Sequence, residues 1–144
     1  MLKEILKGKV VFVGVGNPLK GDDGFGPLMA EKIPSAINAE ATPENFVPKI
    51  KIRKPDSVII FDALDFGGKA GEVKVVKASD AKGLNLSTHT IPLSKFSEML
   101  SPFNVWLVGV QPTGVSFGAE MSKEVIESAG KLEKEVLAWL NSRP

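Results

Sequence analysis

The stretch "KVVFVGVGNPLKGDDGFG" (residues 9 to 26) joins two kinds of pattern. "KVVFVGVG" (9 to 16) is apolar and rich in β-branched residues, the signature of a buried strand, and it ends at Gly14 and Gly16. A glycine-rich turn follows and leads into Phe25, Leu28, Met29 and Ile33, which fall at helical spacing. A strand, a glycine turn and a helix are the opening unit of an α/β fold, and such turns hold phosphates in nucleotide-binding enzymes. Here the dinucleotide pattern is broken, because Leu19 stands where a third glycine is needed and Pro18 has no N–H to offer. A P-loop fails as well: no Gly-Lys-Ser/Thr follows, and Asp22 and Asp23 would repel an anion. Two adjacent carboxylates suit a cation, or else they cap the following helix, where negative charge complements the macrodipole.

Outward from that unit, strands and helices alternate. The segment from Pro34 to Pro55 admits a short strand near Ala36 to Ala39 and a helix from about Pro43, with Pro48 either in its first turn or breaking it. "SVIIFDALD" (57 to 65) is a second buried strand with Asp62 at its carboxyl end. "GEVKVVKA" (71 to 78) follows the Gly67-Gly68 turn and reads as an edge strand. After a polar loop from Ser79 to Thr90, Pro92 opens a helix carrying Leu93, Phe96 and Leu100, and "NVWLVGV" (104 to 110) is the last strand. From Ser122 to about Asn141 a long helix carries Val125, Ile126, Ala129, Leu132, Val136, Leu137 and Leu140 as its apolar stripe. The expected fold is one domain over residues 1–144: a doubly wound, mostly parallel twisted α/β sheet with helices on both faces.

Composition excludes several functions. A net charge of +1 from 18 basic and 17 acidic residues leaves no electrostatic footprint for nucleic acid or a membrane surface. Without cysteine there is no disulfide, zinc-thiolate site or cysteine nucleophile. Charges interrupt the apolar residues of "MLKEILKGKVV", and no apolar run approaches the length of a membrane span, so a soluble cytoplasmic protein is expected. A single glutamine among plentiful Lys and Glu leans toward a heat-adapted source.

In open α/β sheets ligands sit beyond the carboxyl ends of the strands. Asp22 and Asp23 follow the first strand, Asp62 and Asp65 end the next buried strand, and His89 stands in the loop before a helix. If they converge, carboxylates and one imidazole make a hard-to-borderline donor set for nickel, zinc or manganese. "GVSFG" (114 to 118) matches a serine nucleophile elbow, but Gln111, Pro112 and Thr113 separate it from the strand. No Asp or His follows Ser116, which is assigned to a loop.

Taken together, "GVGNPLKGDDGFGP", "IIFDALDFGGKAGEV", "STHTIPLS" and "VGVQP" resemble the endopeptidases that trim the C-terminus of [NiFe]-hydrogenase large subunits during maturation. The likeness runs from the first strand to the last helix, and "GDDGFG" with "TPEN" (42 to 45) is similar to the branch serving formate-hydrogenlyase-type hydrogenases. The resemblance implies nickel ligands at Asp23, Asp62 and His89, and leaves Asp22 as a loop or capping residue. It implies cleavage of a large-subunit precursor after nickel insertion, by a monomer that grips substrate-borne nickel while a carboxylate, Asp62 or Asp65, activates water. Where the family carries Asp-Gly-Gly after its second strand, this chain has Asn38-Ala39-Glu40, a carboxylate exchanged for an amide. A metal-binding maturation chaperone and a divalent-metal hydrolase of a small molecule are the other readings of the same residues.

Overall fold

The computed structural model describes residues 2–87 and 91–143. Among the described residues, five strands form one sheet: β1 (Val10–Val15), β2 (Ile37–Glu40), β3 (Ser57–Ala63), β4 (Val73–Lys77) and β5 (Asn104–Val110). Connecting or flanking them are the α-helices α1 (Phe25–Lys32), α2 (Val47–Ile52), α3 (Leu93–Met99) and α4 (Lys123–Ser142). The spatial order is β2-β1-β3-β5-β4. β1, β2, β3 and β5 run parallel, while β4 pairs antiparallel with β5 at the edge.

Alternation along the strands sends side chains to two cores. Val58 and Ile60 of β3 join Ile50 of α2 and Leu93, Phe96 and Leu100 around α3. Ile59 and Phe61 of the same strand meet Phe25 and Met29 of α1 and Val125, Ala129, Leu132 and Val136 of α4. Helices therefore cover both faces, which is why β3 is buried along its whole length and reads as an unbroken apolar run. The described N-terminal residues add Leu2, Ile5 and Leu6 to the α1/α4 side.

The segment around Pro48 resolves into two pieces, because a 3₁₀ turn over Pro43–Phe46 precedes α2 and Pro48 occupies the first turn of α2, where a missing N–H costs nothing. On α4 the expected stripe is too wide by one residue: Ile126 is 51% exposed. Among the described residues no helix is long and apolar enough to cross a membrane.

Two features of this topology place the site. The chain leaves β1 for β2 on one side and then returns to β3 on the other, so the sheet's switch point lies between the carboxyl ends of β1 and β3. At that point α1 lies unusually close to the sheet. A methyl group on Gly26 would sit 2.1 Å from the Val15 carbonyl oxygen and 2.5 Å from that of Phe61. Gly16 is tighter still, at φ +143° with a methyl position 1.9 Å from the Asp23 carbonyl oxygen. The glycines of the opening motif thus serve close backbone approach.

Candidate active site

The loop between β1 and α1 spends most of its amides on the protein itself. Asn17 N–H donates to the Asp23 carboxylate (Oδ2, 2.9 Å) and Leu19 N–H to the Asn17 side chain (2.9 Å). Gly16, Lys20, Asp22 and Asp23 N–H groups donate to the carbonyls of Glu40, Asn17, Gly114 and Lys20. A nucleotide-binding turn would aim these donors outward at the ligand, whereas here they fold inward onto the protein's own oxygens. What the loop presents is Asp23, inside a 3₁₀ turn over Gly21–Gly24 and 5% exposed.

Asp62 stands at the carboxyl end of β3, 1% exposed. Its carboxylate accepts from Ser87 N (2.7 Å), Ser87 Oγ (2.5 Å) and its neighbour Ala63 N (2.9 Å). Complete burial pushes this carboxyl well above the usual carboxylate range; the Ser87 and Ala63 hydrogen bonds pull the other way, and the nearby charge of Asp23 adds to the rise. Two carboxyl groups that repel one another in a dry setting are stabilised by a cation between them, so the donors present fit a hard or borderline divalent ion. Among the described residues no three His, Cys, Asp or Glu side chains form a complete metal cluster. His89, the expected imidazole ligand, lies outside the described residues.

Asp23 and Ser87 border a cleft of about 330 Å³ together with Lys20, Asp65, Pro112 and Val115. Asp65 is exposed on the loop after β3. Its Oδ1 accepts from Gln111 Nε2 (3.0 Å) and Gly67 N (3.2 Å), and these two bonds hold the carboxyl below the usual range, ionised. Gln111 is itself buried at the end of β5, where its Oε1 accepts from Phe66 N (2.9 Å) and Gly68 N (3.0 Å). It thereby shapes the loop that carries Asp65. The structure brings Asp23 and Asp65 to one cleft with Asp62 as a buried neighbour of Asp23.

Asp22 takes the loop or capping role that the resemblance leaves to it, but on a distant segment. It is fully buried and binds the loop before α4, accepting from Thr113 N (2.8 Å), Thr113 Oγ (2.9 Å), Ser122 N (2.6 Å) and Ser122 Oγ (3.0 Å). Burial works to raise its pKa, but these donors outweigh it and keep the group below the usual carboxylate range. Ser122 is the N-cap of α4, so Asp22 does serve a helix terminus, though one a hundred residues away in sequence. Ser116 lies exposed in that same loop and is not among the residues of the cleft. Asn38, where the resemblance leads one to expect an aspartate after the second strand, lies within β2 and borders a different groove with Pro18, Gly24 and Pro27, apart from the cleft of Asp23 and Asp65.

Sequence reasoning passed over Ser87, Gln111 and Thr113. A signal existed for two of them: Ser87 opens the "STHT" run, and Gln111 is the single glutamine, placed at the carboxyl end of a buried strand.

A family model described as HycI, hydrogenase maturation protease, matches residues 27–139. The hydrogenase 3 maturation protease of Escherichia coli (strain K12) is 31% identical over 139 residues, which cover 90% of this chain and 89% of that protein. A putative hydrogenase maturation protease of Methanocaldococcus jannaschii is 33% identical over 152 residues, covering 92% and 89%. The crystal structure of the [NiFe] hydrogenase maturation protease HycI from Thermococcus kodakarensis KOD1 superimposes with a TM-score of 0.84 at 33% identity, over 98% of this chain and 99% of that one. The chain therefore belongs to the hydrogenase maturation protease family and is a peptidase.

Proposed function

We propose that this peptidase removes the C-terminal extension of a [NiFe]-hydrogenase large-subunit precursor in the cytoplasm once nickel is in place, acting as a monomer. In this reading Asp23 and Asp62, with His89, grip nickel carried by the substrate and so bring the scissile bond to the cleft. The observation that carries it is the pairing of Asp23 with a buried Asp62 at the sheet's switch point, an arrangement that wants a cation. A chain with one histidine and no cysteine makes a poor permanent nickel site, whereas the precursor brings thiolates of its own.

Of the two candidate bases, Asp65 is the better placed. Asp62 already accepts on both oxygens and does not border the cleft, while Asp65 is exposed, ionised and leaves Oδ2 without a hydrogen-bond partner among the described residues. As water adds to the scissile carbonyl carbon, its proton passes to Asp65, and the departing amine takes a proton as the C–N bond breaks. Lys20, on the same cleft wall, offers positive charge where the carbonyl oxygen becomes negative.

The test is incubation with nickel-loaded and nickel-free precursor, read by mass spectrometry beside metal analysis of the isolated enzyme. Only loaded precursor should be shortened, and the enzyme should carry substoichiometric metal. A tightly held stoichiometric ion, together with cleavage of nickel-free precursor, overturns the grip. Ser116→Ala should process the precursor at the parent rate, since its side chain lies outside the cleft. A loss of several orders of magnitude with the fold intact would instead point to a serine nucleophile.

A further inference from the structure

The cleft is small for an enzyme that acts on a protein. About 330 Å³ is at the low end of pockets that hold a small molecule, so it takes only a short length of polypeptide. Recognition of the remaining substrate must come from the surface around it. Among the described residues five large hydrophobic side chains are exposed, and three of them, Leu19 (68%), Val115 (42%) and Phe117 (73%), stand on the two loops that wall the cleft.

These loops are not loose. Gly118 N–H donates to the Leu19 carbonyl (2.9 Å), and Asp22 N–H donates to the Gly114 carbonyl (2.9 Å) while the Asp22 carboxylate holds Thr113 and Ser122. Lys20 Nζ lies 5.2 Å from the centre of the Phe117 ring, which helps to set the ring's position. Apolar side chains displayed on a backbone tied down by a buried carboxylate lose little entropy when a partner covers them. Exposed aromatic and aliphatic groups of this kind, rimmed by polar residues, are the usual anchors of protein interfaces.

We propose that Leu19, Val115 and Phe117 form the docking surface for the substrate protein, receiving apolar side chains of the precursor next to the bond that is cut. The assignment of the occupant rests on the peptidase reading above and on continuity: Val115 and Lys20 belong both to this rim and to the cleft wall, so a chain lying in the cleft must pass over the rim. Asp22 is then a positioning residue that acts through the loop it holds.

The test compares the parent with Leu19→Ser/Phe117→Ser, two exposed positions whose replacement leaves the cores intact, and with Ile126→Ser on α4 as a control. Processing of nickel-loaded precursor is followed for KM and kcat, and precursor binding to immobilised enzyme is measured separately. The double variant should raise KM and weaken binding at least about tenfold while kcat stays within about twofold, and Ile126→Ser should match the parent. Unchanged KM and binding in the double variant overturn the docking surface. So does a parent that is dimeric and becomes monomeric in the double variant with processing unaltered, since a second copy then covers the rim. A parent that binds the precursor through this rim and never cuts it condemns the peptidase reading and leaves the docking surface standing.

Discussion

Asp23→Asn is expected to slow removal of the precursor tail by roughly 10²–10³-fold without loosening the fold, the scale of removing one well-placed electrostatic contact. Asp23 meets this expectation cleanly because it borders the cleft and, among the described residues, its carboxylate takes one hydrogen bond, from Asn17 N. Asp62→Asn should lose as much activity and some stability besides. One amide NH₂ would have to face a donor, since Ser87 N and Oγ and Ala63 N all donate to this carboxylate. A buried donor facing a donor costs about 1–3 kcal/mol, less than the 5–15 kcal/mol that holds a typical domain folded. Activity and thermal melts recorded on the same samples separate the two effects. Asp23→Asn processing within threefold of the parent would remove Asp23 from the grip.

Gly26→Ala should be the most damaging small change in the fold. A methyl group there would meet two backbone carbonyl oxygens, Val15 at 2.1 Å and Phe61 at 2.5 Å, neither of which can swing aside. Forcing α1 off the sheet costs about 3 kcal/mol, a fall of roughly 10 °C in Tm for a chain of this size. Gly130→Ala is the opposite case, because nothing lies within 4 Å of its methyl position in the middle of α4. That substitution should stabilise the protein by about 0.5–1 kcal/mol, since alanine is the better helix former. Equal melting temperatures for the two variants would show that the glycine is not there for close approach. The same displacement would carry the Asp23 loop away from β3, so Gly26→Ala should lose processing at temperatures where it remains folded.

The order of elements was legible because it depends on local pattern. Period-two and unbroken apolar runs mark strands, helical spacing marks helices, and alternation of the two leaves a parallel sheet covered on both faces as the way to bury all of them. That Asp22, Asp23, Asp62 and Asp65 lie at one edge of the sheet was legible for a related reason, since loops at the carboxyl ends of adjacent parallel strands meet at the switch point wherever the sheet is wound this way. The choice of Asp23 and Asp62 among them came from the family resemblance. The individual partners were not. Ser87 reaches Asp62 across 25 positions, Gln111 reaches Asp65 across 46, and Ser122 reaches Asp22 across 100, and no local rule couples side chains so far apart. Asp22 and Asp23 show the difference most directly. They are adjacent and chemically identical, and spacing and charge alone do not separate them. Only the family resemblance assigned them different roles, and in the fold one turns inward to hold a loop while the other borders the cleft. Successive residues of a 3₁₀ turn point in different directions, and what each meets is set by which distant segment packs there.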